Sequence, residues 1–592
     1  MVSTLGRLPY TPIHDLLRGR VTARLDWRGV IASSGAEPEV QELLERVISQ
    51  TRLWRSERAD VAAELLDHFF EGLEAGETTA ELIAQFGDPE QAAELVRRSK
   101  IRSRPPAWHV CRWTFWLLTI ACIFYAAVAV HYYAGRPSRA VNFIASLDSD
   151  QVGQSSEPAR AWPIYESALA SLGADASNPL VNFGEYDGHW AQTARWIDDH
   201  QQAVESAIRG SSLPALGLGV RKTQSGAFAS DAAENLTDLS VPHLQGLRIL
   251  GNLLAFDARR ARERGDGRRV EADISALDCM AQQVVREVSL TMGQVFSLDL
   301  LARSYDELDR TLVETPQVLD DAALHRIAHR ISVPQTGSDL ISFRGERLYF
   351  EDVLQRTFTD DGQGDGRFST AGWDFCVMKY AQEPRLPAQT FLDAAPGSAL
   401  QPASVLLMGS RKDLHEEFDR LMDLNDAMIR VPLRNADSDA PYEELRSLAR
   451  DGVLRWRYAL LLTVAPALER PAELAERTLG ERDGLLVGLA LEMYHRSHQR
   501  YPDNLRQLAP GLLATVPADR ITGNPLKYRL INGKPLVYSV GVDRVDDGGR
   551  VPVRDGLPDP DSAAKWGKFA TMIGGDWVLF PKPRVSGDDK GN

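Results

Sequence analysis

Cysteine is scarce, with only Cys111, Cys122, Cys279 and Cys376 in 592 residues. Four scattered cysteines do not build a disulfide framework, and no CxxC or Cys/His spacing suited to zinc occurs. Cys279 and Cys376 are expected as unlinked thiols, although an oxidising compartment could pair them. Catalytic signatures are missing too: there is no GxSxG elbow, Walker loop, GxGxxG with an acidic partner, HExxH pair or kinase signature. Their absence lowers the expectation of an enzyme without excluding one. Positive charge is in deficit, with 67 Lys and Arg against 82 Asp and Glu and a net charge of -15. That balance argues against general affinity for nucleic acid or for an anionic membrane surface, while leaving room for a local basic patch. Long apolar runs are absent as well, with one exception.

The exception is WTFWLLTIACIFYAAVAVHYY, residues 113–133, which contains no Asp, Glu, Lys or Arg. A helix needs about 20 apolar residues to cross the hydrocarbon core. Trp108, Trp113 and Trp116 flank one end, and Tyr132 and Tyr133 the other, as interfacial rings do. A buried core helix is the alternative, but such helices seldom lack a charged face. Arg97, Arg98, Lys100, Arg102, Arg104 and Arg112 precede the run, and only Arg136 and Arg139 closely follow it. The positive-inside rule then expects a cytoplasmic N-terminus and an exported C-terminal region. The run lies too far into the chain, and is too long, for a cleaved signal peptide, so it reads as an uncleaved anchor.

Residues 1–100 are expected to form a cytoplasmic helical domain. Val40, Leu43, Leu44, Val47 and Ile48 recur at helical spacing, as do Val61, Leu65, Leu66, Phe69, Phe70 and Leu73. Gly76 marks a helix end, Thr78 or Thr79 a cap, and Gly87-Asp88-Pro89 a break that starts another helix. Residues 1–36 are less regular, with room for one short helix in PYTPIHDLLRGR. The stretch ELLDHFFEGLEAGETTAELIAQFGDPEQAAELVRR resembles the HAAS signalling domain of bacteria over about residues 37–100. That resemblance implies signal transduction or contact with a protein partner such as a transcriptional regulator.

Beyond the span, residues 140–345 are patterned as a helical domain. Its clearest unit runs from Pro242 to Leu312, with Gly265-Asp266-Gly267 turning one helix into an antiparallel return and a third helix following. No sustained 34-residue period supports a tetratricopeptide array. His325 and His329 lie four apart, but Arg326 and Arg330 flank them, which favours a solvated helix face over zinc. Residues 346–403 read as an irregular, loop-rich segment. Within it FTDDGQGDGRFS, 358–369, partly matches a calcium loop through Asp361 and Asp365, yet Gly372 stands where the bidentate Glu belongs. Residues 404–482 read as helical, with Tyr458–Leu468 as a core helix.

Residues 483–592 are expected to form a small α+β module. A helix over 483–500 is followed by two alternating runs joined at Asn532-Gly533, the strongest short hairpin signal, and by a last strand near Trp577–Phe580. LALEMYHRSHQRYPDNLRQL, TGNPLKYR and YSVGVDRVDDGG resemble the C-terminal part of the type II secretion major pseudopilin. The chain departs from it at Asp519-Arg520, where an Asp-Pro is expected, and lacks the pilin's N-terminal stalk. The resemblance implies calcium held by Asp543, Asp546 and Asp547. Hard oxygens on one loop suit that ion, but Arg544 and Arg550 could neutralise the same carboxylates.

The expected fold is therefore mainly α: a cytoplasmic helical bundle, one transmembrane helix over 113–133, an exported helical region and a small C-terminal α+β module. The expected role is signalling or partner binding by a single-pass protein of the bacterial inner membrane. An envelope or secretion-associated structural protein, and an exported hydrolase using carboxylates near 346–365, stand as alternatives. No catalytic residue is named, and Ca²⁺ is the one cofactor considered.

Overall fold

The computed structural model describes residues 26–102, 104, 106–151, 160–173, 190–217, 236, 242–380, 402, 405–435, 439–465, 471–554, 557–559 and 574–584. It is mainly helical, with a small three-stranded sheet near the C-terminus. Two compact units divide the chain, Met1–Ala126 and Ala127–Asn592.

The first unit holds α1 (Trp27–Ala32), α2 (Pro38–Gln50), α3 (Arg55–Glu74), α4 (Thr79–Phe86) and α5 (Pro89–Arg102). Trp27, Ile31, Val40, Leu44, Ile48, Val61, Leu66, Phe69 and Leu82 close its core. The anticipated stripes are present, except that Leu73 stays 37% exposed at the end of α3. Local rules set the boundaries. Gly76, at φ 91°, follows the end of α3. Thr78 and Glu81 form a reciprocal capping box on α4: the Glu81 N–H donates to Thr78 Oγ1 at 3.4 Å, and the Thr78 N–H donates to Glu81 Oε2 at 2.9 Å. The Thr78 N–H and hydroxyl, both donating to Glu81 Oε2, hold the Glu81 carboxyl below its usual range. Asp88 Oδ1 accepts the Glu90 N–H at 3.2 Å, and Pro89 opens α5. Helix α1 was not anticipated, and PYTPIHDLLRGR lies outside the described residues.

Helix α6 (Pro106–Ala134) contains the apolar run. Val110–Ala134 is the stretch long and apolar enough to cross a membrane, and none of its most apolar window is buried in protein. Trp113, Phe115, Leu117, Leu118, Ile120 and Ile123 are each at least 60% exposed, unlike the side chains of a core helix. One expectation needs correction. Tyr132 is not an interfacial ring: it is fully buried in the core of the second unit, and its carbonyl accepts the Thr370 hydroxyl at 3.0 Å. A tyrosine at the end of an apolar run satisfies either environment, and only the tertiary contact decides.

The second unit begins with α7 (Phe143–Gln151), α8 (Trp162–Leu172), α9 (Trp190–Asp199) and α10 (Gln201–Ser211). Helices α11 (Pro242–Arg264), α12 (Gly267–Glu287) and α13 (Thr291–Glu314) form the expected antiparallel stack. Gly265 takes φ 71°, and Asp266 caps α12 by accepting the Arg269 N–H. Helix α14 (Asp321–Ile331) follows. The 346–403 segment is less irregular than expected, since α15 (Arg344–Thr357) and α16 (Thr370–Tyr380) enter it. Helices α17 (Arg411–Arg430), α18 (Ala440–Arg450), α19 (Leu454–Arg457) and α20 (Ala459–Val464) precede the long α21 (Pro471–His498).

Strands β1 (Lys527–Ile531) and β2 (Lys534–Ser539) make the Asn532-Gly533 hairpin, with φ 51° and 77° at the turn. Strands β3 (Val553–Arg554) and β4 (Leu557–Pro558) form a separate pair, and β5 (Trp577–Phe580) joins β2 antiparallel to give the order β1-β2-β5. Helix α21 starts at Pro471 and therefore runs through the expected boundary at 482/483. Gly480, Gly484 and Gly488 lie one turn apart on it. A Cβ at these positions would fall 2.0 Å from the Trp577 ring, 2.6 Å from Leu579 Cβ and 2.7 Å from the Phe580 ring. The missing side chains let the strand pack directly on the helix. One hydrophobic core then runs from Tyr132 through α8–α21 to Phe580, so 140–345, 404–482 and 483–592 share it.

Candidate functional site

Three places merit attention: the N-terminal helical unit with its junction to α6, the acidic loops, and the polar seam around α21.

At the junction, Glu57 in the first turn of α3 accepts the Trp54 N–H at 3.1 Å, Arg104 Nε at 2.7 Å and Arg104 Nη2 at 2.6 Å. The Arg104 guanidinium lies 4.3 Å from the Trp54 ring centre and 4.3 Å from that of Trp108, and the two rings meet edge to face at 6.2 Å. Its side chain is 9% exposed and that of Glu57 16%. A bidentate, stacked arginine of this kind fixes both neighbours. Lys100 reaches Glu64 at 2.5 Å. Asp60 beside them has a raised pKa, because burial outweighs the Lys100 charge and Glu64 and Glu57 add repulsion. Trp54, Glu57 and Arg104 play this role only in the folded unit. The sequence offered two tryptophans and a basic run, but not their convergence.

In the C-terminal loop, Asp546 is committed. Its Oδ1 accepts the Tyr538 hydroxyl at 3.0 Å and the Gly548 N–H at 3.1 Å, and its Oδ2 pairs with Lys527 at 3.0 Å. The Lys527 contact comes first among the causes that hold its carboxyl low, and burial pushes the Tyr538 phenol up to about 12. Asp543 Oδ1 accepts the Val545 N–H at 3.1 Å. Asp547 stands beside Asp576, a residue the sequence reading passed over. Asp576 is fully buried; its Oδ2 accepts the Gly549 N–H at 2.6 Å, while Oδ1 has no hydrogen-bond partner. Burial raises its pKa. In the other loop Asp361 Oδ1 accepts the N–H groups of Gln363 at 2.8 Å and Asp365 at 3.1 Å. Asp365 Oδ1 accepts those of Gly366 at 2.7 Å and Lys412 at 3.1 Å. Asp361 thus caps its own turn, and Asp365 joins that turn to the start of α17. Among the described residues no three His, Cys, Asp or Glu side chains are arranged to hold a metal. His325 and His329 are exposed on α14, with Arg326 paired to Glu271 at 2.6 Å.

Asp519 and Arg520 belong to a polar seam against α21. Arg520 Nε donates to Asp483 at 2.6 Å and Nη1 to Glu476 at 3.2 Å, both on α21. Asp519 accepts the Ile521 N–H and the hydroxyls of Thr522 and Ser539 at 2.8–2.9 Å. On the opposite side Lys582 joins Asp306 at 2.8 Å to Glu481 at 2.9 Å, beside a cavity of about 350 Å³. The Arg520 and Lys582 ion pairs describe a brace on both sides of α21. A wider groove of about 770 Å³ lies beside Glu492, His495, Arg496 and Tyr501. All four cysteines are free thiols.

Residues 43–94 match the HAAS family. That match covers α3, α4, most of α2 and the first turns of α5, the elements whose caps and core are described above. No curated protein and no solved structure matches the chain. The class defined here is a chain with an N-terminal HAAS module, followed by one helix apolar enough to cross a membrane and a large helical unit.

Proposed function

We propose that this chain is a single-pass bacterial inner-membrane protein that signals through, or recruits a partner to, its HAAS module. The module lies on the cytoplasmic face and the second unit is exported. The observation that carries the reading is the HAAS match directly before a helix whose apolar surface is exposed along its length. The six basic residues between 97 and 112 favour a cytoplasmic N-terminus. A cytoplasmic regulator is the partner class proposed. Deleting residues 37–100 should remove a copurifying cytoplasmic protein while the remainder stays in the membrane. An unchanged set of copurifying proteins would refute the partner role.

A second reading concerns calcium at the C-terminal loop, and Asp576 is what favours it. Its unpartnered oxygen stands beside Asp546 and Asp547, and hard carboxylate oxygens suit calcium. Binding requires Lys527 to release Asp546. Calcium should then raise the melting temperature of the detergent-solubilised chain, and Asp576→Asn should abolish the rise. Equal melting with calcium and with chelator leaves the loop as a self-bonded turn.

A further inference from the structure

The segment from Arg97 to Arg112 contains six Lys and Arg and no Asp or Glu, against a whole-chain charge of -15. The structure sorts these six by what they touch. Arg98 pairs with Glu94 at 2.5 Å, Lys100 with Glu64 at 2.5 Å and Arg104 with Glu57 at 2.6 Å. Arg97, Arg102 and Arg112 are exposed and have no carboxylate partner among the described residues. Arg112 lies 5.2 Å from the Trp108 ring, two residues past the start of the apolar stretch at Val110. Trp54, 40% exposed, is held beside Trp108 by the Arg104 clamp. Exposed indole rings and unpaired guanidinium groups at the end of an apolar helix match the headgroup layer in both polarity and charge.

We infer that Arg97, Arg102 and Arg112 bind the phosphates of anionic lipid headgroups, and that the Trp54–Arg104–Trp108 clamp holds the helical unit against that surface. The inference rests on the membrane reading above. It adds a lipid preference that the composition as a whole argues against. The paired residues have a carboxylate beside them that lowers their attraction for a phosphate. The three without a carboxylate partner among the described residues are spaced along the end of α5 and the start of α6, next to the apolar stretch.

The test uses the full chain in lipid nanodiscs, with Cys111, Cys122, Cys279 and Cys376 replaced by Ala and a bimane fluorophore on Ser99→Cys. Quenching by headgroup-nitroxide phosphatidylglycerol is compared with quenching by the matching phosphatidylcholine. The anionic lipid should quench at least about fivefold more effectively at low salt. The preference should fall to parity in the R97Q/R102Q/R112Q chain and weaken as salt rises. Equal quenching by the two lipids, or a preference that survives the triple substitution, would overturn the inference. Loss of the preference on adding inorganic phosphate at constant ionic strength would assign the arginines to a soluble phosphate and overturn the lipid assignment. Extraction of the chain from native membranes by alkaline carbonate would overturn the membrane reading as well; selective failure of the lipid assay, with the chain retained, overturns this inference alone.

Discussion

Glu57 receives a backbone N–H and both arms of Arg104, so a single carboxylate caps α3 and ties it to the residues that open α6. Truncating one partner of such a well-shielded pair strands the other charge, and Arg104→Ala should cost about 2 kcal/mol or more in the first unit. Hydrogen exchange of the α3 N-terminus should report it, and an Arg104→Ala chain with unchanged exchange would show that the clamp adds nothing. Buried acids give the second unit a pH signature. Burial pushes Glu307 up to about 7, against the opposing Arg262 charge, and Asp278 and Asp309 up to about 6. Each folded-state pKa exceeds its unfolded value, so the folded state holds more protons over this window. Stability is therefore highest at the acid end and is lost as pH rises through the folded pKa values. The slope should approach about 1 kcal/mol per pH unit for each such proton between its ordinary carboxylate value and its raised one, so that it ends near pH 6 for Asp278 and Asp309 and near pH 7 for Glu307. Glu307→Gln should flatten the denaturant-midpoint profile above pH 6; an unchanged profile would remove Glu307 from the account. None of these burials was legible in the sequence, because Glu307 sits in a helical pattern like any surface acid.

At the scale of elements, the first unit was largely readable. Its boundaries depend on local rules: a glycine at positive φ after α3, the Thr78–Glu81 box, and Asp88-Pro89 opening α5. The Asn532-Gly533 hairpin was readable for the same reason. What escaped depends on contacts distant in sequence. Nothing in the local sequence distinguishes Tyr132 as a headgroup ring from Tyr132 as a core tyrosine. Gly480, Gly484 and Gly488 drew no notice, since their role appears only when β5 lies on α21. Asp576 was missed because its chain neighbours carry no acidic pattern. Gly480→Ala should destabilise the second unit by about 1–3 kcal/mol through overpacking against Trp577. Gly452→Ala, whose added methyl meets nothing within 4 Å, serves as the control. Equal denaturation midpoints for the two would contradict the close packing.

For the whole molecule, the sequence pointed to the class of the N-terminal module and to the apolar helix, and the HAAS match at 43–94 and the exposed flank of α6 agree with both. The expected subdivision of the C-terminal part proved harder to read. One long helix, α21, contributes to the helical stack through α13 and to the sheet through β5, so a boundary placed where composition changes cuts through a shared core. The seam of Arg520, Asp483, Glu476, Lys582 and Glu481 braces that same helix. The central claim is that α6 crosses the membrane with the HAAS module inside and the second unit outside. It is tested most directly by replacing the four cysteines and introducing Ser49→Cys or Ser447→Cys, both exposed positions. A membrane-impermeant maleimide is then applied to spheroplasts. The account predicts labelling of Cys at 447 in intact spheroplasts and of Cys at 49 only after permeabilisation. Protection of both until lysis, or labelling in the reverse order, would contradict it.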